Sequence, residues 1–168
     1  MDKYFGKYRA TVLDNVDPMQ MGRIMVQVAD VSNIMPSSWA MPCLPFAGIQ
    51  TGFYVTPTPG TGVWVEFEQG DPDYPIWVGC FWGSAAEVPA LALATPPAVQ
   101  QVVMQTTQMN TLVISDVPGP TGGIILKSTS GALIAINDVG ITIDNGQGAT
   151  IVMTGPSITV NEGALMVV

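Results

Sequence analysis

The run Gly140-Ile141-Thr142-Ile143-Asp144-Asn145-Gly146-Gln147-Gly148-Ala149-Thr150-Ile151-Val152-Met153-Thr154-Gly155-Pro156-Ser157-Ile158-Thr159-Val160-Asn161 decides how this chain folds. Three short segments alternate apolar with small or polar side chains. Asn145-Gly146-Gln147-Gly148 and Gly155-Pro156 separate them. Alternation is the period of a strand, because successive side chains leave it on opposite sides. Ile141 and Ile143, Ile151 and Met153, and Ile158 and Val160 therefore fall on one face. Thr142, Thr159 and Asn161 fall on the other.

The same grammar extends back to Thr106, through Thr111 to Ser115, Gly123 to Lys127 and Leu133 to Asn137. The β-branched content is high, as strands prefer. Turns such as Asp138-Val139-Gly140 recur at intervals of roughly 8 to 10 residues, a weak repeat that points to a solenoid or β-helix. Strands this short bury little within one chain, and a narrow isolated solenoid exposes its edges. Intertwining three chains about one axis removes both problems. The C-terminal part is therefore predicted to be a triple-stranded β-helix in a homotrimer. Its core would hold Ile141, Ile143, Ile151, Met153, Ile158 and Val160.

Upstream the grammar changes. Every Trp, Tyr and Phe lies before Ser84. Tyr8 to Leu13, Gly22 to Val31, Trp39 to Ala47, Gly62 to Glu68 and Ile76 to Trp82 read as short strands. Gly70-Asp71-Pro72-Asp73-Tyr74-Pro75 supplies a hairpin loop between the last two. About five short strands without a helical period suggest a small barrel of the OB type. The expected organisation is an all-β chain with an OB-fold domain over 1–83, a Pro/Ala-rich connector over 84–105 and the trimeric β-helix over 106–168. A helical turn is allowed around Ala85 to Leu93, and Pro89 keeps it short.

Composition narrows the function. Residues are 48% apolar and only 11% charged, against about a quarter charged in an ordinary soluble protein. Such a chain must hide apolar surface against something. No run is long enough for a spanning helix: Pro89, Pro96 and Pro97 interrupt the best candidate, Val88 to Met104. Met1-Asp2-Lys3-Tyr4 does not open a secretory signal, so assembly in the cytoplasm is expected. A net charge of −8 with five Lys and Arg argues against nucleic acid as a partner.

The chain has no histidine, which removes Ser-His-Asp and Cys-His nucleophiles and His-ligated zinc. Cys43 and Cys80 are too few for a zinc site and are expected as buried free thiols. Glu66 and Glu68 share a strand face and Asp71 and Asp73 sit in a turn, which is surface and turn chemistry and not a glycosidase pair. Trp64, Trp77 and Trp82 lack the flanking basic residues of a nucleic-acid stacking platform, so core or inter-subunit packing is expected of them. No catalytic residue, cofactor or metal is expected.

The run GFYVTPTPGTGVWVEFEQGDPDYPIWVGCFWG (52–83) resembles the OB-fold core of phage baseplate spike proteins and of the related spikes of contractile injection systems and type VI secretion. A G-F-Y strand, a G-x-x-V-x-V-x-F strand, the G-D-P-D-x-P turn and the following V-G-x-x-W strand carry the resemblance. Asp17-Pro18-x-x-x-Gly22-Arg23-Ile24-x-Val26 fits the same family's opening strands. The resemblance implies a homotrimer on the tail axis, its barrels against a baseplate hub protein at the tube end. Its β-helix would point at the target membrane, which it meets only transiently. Some short spikes of this family hold an iron ion near the tip through His-x-His triplets, and with no histidine that site cannot be present here in its usual form.

The chain stops on Gly163-Ala164-Leu165-Met166-Val167-Val168. Three copies of an apolar end are avoided by proteins in water. Leu165, Met166, Val167 and Val168 are therefore expected to contact a small PAAR-like tip protein, the alternative being simple pairing into the last β-helix turn. The functional expectation is a structural central spike joining the tube hub to the membrane-piercing tip. The competing expectation is a trimeric OB-fold binding module or fibre that recognises a surface ligand.

Overall fold

Five strands of the N-terminal part close on themselves as a barrel. The computed structural model describes residues 2–167, with side chains through Leu165, and divides into two units, Met1–Glu87 and Val88–Val168. In the first unit β1 (Tyr8–Asp14) and β2 (Ile24–Gln27) are followed by a single helical turn, α1 (Ala29–Ser32), and by β3 (Pro36–Pro42). A small hairpin, β4 (Ala47–Gly48) with β5 (Thr51–Gly52), precedes β6 (Gly62–Phe67) and β7 (Pro75–Phe81). The barrel order is β1-β2-β3-β7-β6, antiparallel except for the β3–β7 pair. This is the OB-like barrel that the strand count suggested.

Alternation fills it. Val12, Ile24, Val26, Val28, Val63, Val65, Phe67 and Trp77 are buried, and the intervening positions face outward. The Trp77 indole N–H donates to the Gly22 carbonyl at 3.1 Å, which satisfies its one polar atom inside the core. Gly62 is needed beside it. A Cβ there would meet the Phe81 ring at 2.7 Å, and that ring lies across the start of β6.

The Asp17 carboxylate organises the loop that enters β2. It accepts the backbone N–H groups of Met19, Met21 and Arg23, and it pairs with the Arg23 guanidinium at 2.6 Å. Both side chains are largely buried. The Arg23 guanidinium holds the Asp17 carboxyl well below the usual carboxylate range, against the opposing effect of burial and with help from the three backbone donors.

Several boundaries depart from the sequence reading. The strand expected through Val31 stops at Gln27, because α1 turns the chain and brings Val31 onto the core. The strand expected from Trp39 to Ala47 instead begins at Pro36 and ends at Pro42. Pro45, with no N–H, cannot extend the ladder. Phe53 and Tyr54 of the G-F-Y motif lie beyond β5 and belong to no barrel strand. The Phe53 N–H closes the small hairpin on the Phe46 carbonyl. Cys43 and Cys80, expected to be buried, are exposed and free, because Cys43 lies past the end of β3 and Cys80 lies near the end of β7, beyond the last buried residue of that strand, Trp77.

The second unit opens with one helical turn, α2 (Ala90–Leu93), which follows Pro89. It continues as eight strands, β8 (Gln101–Gln105), β9 (Thr111–Ser115), β10 (Gly123–Lys127), β11 (Leu133–Asn137), β12 (Gly140–Asp144), β13 (Thr150–Thr154), β14 (Ser157–Val160) and β15 (Leu165–Val167). They form one antiparallel meander in chain order. The sheet thus begins at Gln101, inside the stretch read from sequence as connector. Val102 and Met104 give that segment the same alternation as the strands that follow.

Tight corners hold the register. At Gly140 φ is +149°, and a Cβ there would lie 2.0 Å from the Met153 carbonyl oxygen. That backbone region is essentially reserved for glycine.

Two outcomes follow from these contacts. The unfolded chain takes up the Asp17 proton first as pH falls, so this carboxylate's contribution is complete above its usual value of 3.8 and is lost as pH drops further. Asp17→Asn should lower the barrel's melting temperature at neutral pH, with a gap to the unsubstituted protein that narrows below about pH 3.8, as followed by circular dichroism. Gly140→Ala should destabilise the sheet by about 1–3 kcal/mol from backbone strain alone, as read from denaturant unfolding.

Candidate assembly surface

Each strand from β8 to β14 carries its apolar pair at its second and fourth positions. Val102 and Met104, Leu112 and Ile114, and Ile124 and Leu126 are the pairs of β8, β9 and β10. Ile134 and Ile136 follow on β11. The pairs on β12 to β14 are Ile141 and Ile143, Ile151 and Met153, and Ile158 and Val160.

The register lines these pairs into two rows. Val102 pairs Ile114, which pairs Ile124, then Ile136, Ile141, Met153 and Ile158. Met104 begins the second row, which runs through Leu112, Leu126, Ile134, Ile143, Ile151 and Val160 to Leu165. No polar side chain interrupts either row.

All six residues expected in a trimer core lie on this face, adjacent across β12, β13 and β14. Thr142 and Thr159 occupy the opposite face as expected. Asn161 does not. It starts a 3-10 turn after β14 at φ +48°, where its side-chain oxygen accepts the Thr150 N–H at 3.0 Å. The pairs on β8 to β11 escaped the sequence reading, although the same second-and-fourth pattern was there to find.

Burial on the two faces is the reverse of what a soluble monomer shows. On the apolar face Ile114 is 45% exposed, Ile136 45% and Leu126 47%. On the other face Thr111, Val113, Ser115 and Ala135 are buried. That side has a cover of its own, since Leu91, Pro96, Val117 and Pro120 gather around Val113, Ile125 and Leu133. The open rows form one continuous apolar face along the whole sheet, whereas the largest apolar patch of an ordinary monomer is only about 300–600 Å². A standard interface takes about 800 Å² from each partner.

Of the residues expected to meet a tip protein, Leu165 is exposed on β15 in register with Val160. The side chains of Met166 and Val167, and the whole of Val168, lie outside the described residues.

Two of the four acids raised by the sequence, Glu66 and Asp71, are held in structure. Glu66 pairs with Lys7, and Asp71 lies 3.7 Å from Lys3 while accepting the Asp73 N–H at 3.1 Å. Among the described residues no three His, Cys, Asp or Glu side chains gather as a metal site. No helix among them is long and apolar enough to cross a membrane.

The three tryptophans separate. Trp77 is in the core, and Trp64 is half-buried outside it beneath Arg9, against the Phe81 ring at 5.0 Å. Trp82 is 63% exposed.

Comparison with known families accounts for both units in order. Residues 8–82 match the type VI secretion system/phage-baseplate injector OB domain. Residues 101–166 match the phage baseplate V C-terminal trimerisation domain. No curated protein matches the chain. The two matched domains are structural baseplate components and span the barrel and the meander described above. The chain belongs to the phage baseplate assembly protein V family, whose members are structural parts of a phage tail or injection particle.

Proposed function

We propose that three copies of this chain form the central spike of a contractile tail or injection machine. The observation that carries this reading is the uninterrupted double row of apolar side chains left open on one face of β8–β15. Three such sheets facing a common axis, wound as a triple-stranded β-helix, bury the rows of all three chains at once. Ile141, Ile143, Ile151, Met153, Ile158 and Val160 then belong to a continuous dry core. The match of this same segment to a trimerisation domain supports three as the number of chains.

The mechanism is mechanical. A narrow prism of short strands has its core between chains, so no chain can lose its fold without opening the whole assembly. Such a body passes an axial push onto a small area of membrane. The barrels sit at the tube end against a hub protein, as in the family the chain resembles. The second row runs to Leu165 without a polar stop, and a small PAAR-like protein covers Leu165 to Val168.

The decisive measurement is the solution mass of the 17.7 kDa chain by native mass spectrometry, before and after SDS without boiling. A trimer that survives SDS is expected, and a monomer overturns the reading. Ile143→Ala should cost about 2–5 kcal/mol per chain if the row is a packed core, against a change within about 0.5 kcal/mol for a side chain that stays in water. For the tip, a candidate tip protein should be retained by the full-length assembly and lost from one lacking Leu165 to Val168. Equal retention by both overturns the cap.

A further inference from the structure

The barrel carries an apolar knob and an apolar recess that its own chain does not bring together. The knob is the β4–β5 hairpin. Its tip is Ile49-Gln50, with Gln50 at φ +55°, and Ile49 is 97% exposed. Phe46 at its base is 58% exposed. No charged residue occurs between Asp30 and Glu66, so no ion on the hairpin or its flanks has to be stripped of its water.

The recess has a volume of about 720 Å³. Pro59, Gly60 and Thr61 line one side ahead of β6, and Cys80, Phe81 and Trp82 line the other at the end of β7. Glu87, also at its wall, already accepts the Gly83 N–H at 2.8 Å. The space is several times larger than one isoleucine side chain and has room for a hairpin tip.

A twofold pair joins one self-complementary patch to itself, whereas a threefold ring joins two different patches, each met by a neighbour. A knob and a recess of matching apolar character on one chain are what the ring requires. We propose that in the assembled trimer the β4–β5 hairpin of each barrel seats Ile49 in the Phe81–Trp82 recess of the next copy, closing a ring of three barrels. The contact rests on the trimeric reading above and adds to it a second, barrel-level interface independent of the β-strand core.

Cys80 on the recess wall makes the contact directly testable. The full-length chain with Ile49→Cys, in a Cys43→Ser background, is oxidised mildly, boiled in SDS without reductant so that only covalent links survive, and run on a denaturing gel, with native mass measured in parallel. Ile49 is so exposed that its replacement should not disturb folding of the barrel. The expected result is a ladder of covalent dimer and trimer that disappears when Cys80→Ser is added. A trimer by mass that gives no ladder, a ladder that survives Cys80→Ser, or a bridge within one chain overturns the hairpin contact and leaves the trimer standing. A monomer by mass overturns both.

Discussion

A strand turns alternate side chains to one face, and from β8 to β14 the two on that face are always apolar. Everything in the C-terminal unit depends on that regularity being kept in register. A slip of one residue in any strand would turn its pair to the opposite side and break both rows. The corners prevent it, and Gly140 shows how: its backbone passes so close to the Met153 carbonyl that no larger residue fits the same turn. A surface built this consistently is not left in water, and among the described residues no segment covers it. The face must be completed by other molecules.

The two units settle the burial problem differently. The barrel curls its sheet shut, so Val12, Ile24, Val63 and Val65 are covered by their own chain. It then locks the loop into β2 with one carboxylate that takes three backbone donors and a guanidinium. The meander never closes, and it covers only its mixed face near β9–β11. One unit is self-sufficient and the other is half of an interface. That division suits a part whose first unit holds a fixed place in a larger body and whose second is made by association.

The low charge of the chain belongs to the same account. Where side chains are destined for contact with other chains, each ion would have to be stripped of water. The rows of the meander carry none. The barrel concentrates its acids where they pair with Lys3, Lys7 and Arg23 or shape a turn.

Much of this was legible before any coordinates. Alternation alone located β9 through β13 to the residue and placed Ile141, Ile143, Ile151, Met153, Ile158 and Val160 on one face, because period two is a local property of the backbone. It also located the β6–β7 hairpin. Local pattern could not show that Gln101–Gln105 pairs with β9, that the G-F-Y segment leaves the barrel, or that Cys80 is left exposed. Those outcomes depend on which strand lies beside which. The two unbroken rows likewise exist only once seven registers are set together. Sequence determines on which side of its own strand a residue stands; only the tertiary structure decides what stands next to it, because pairing joins segments that no local preference relates.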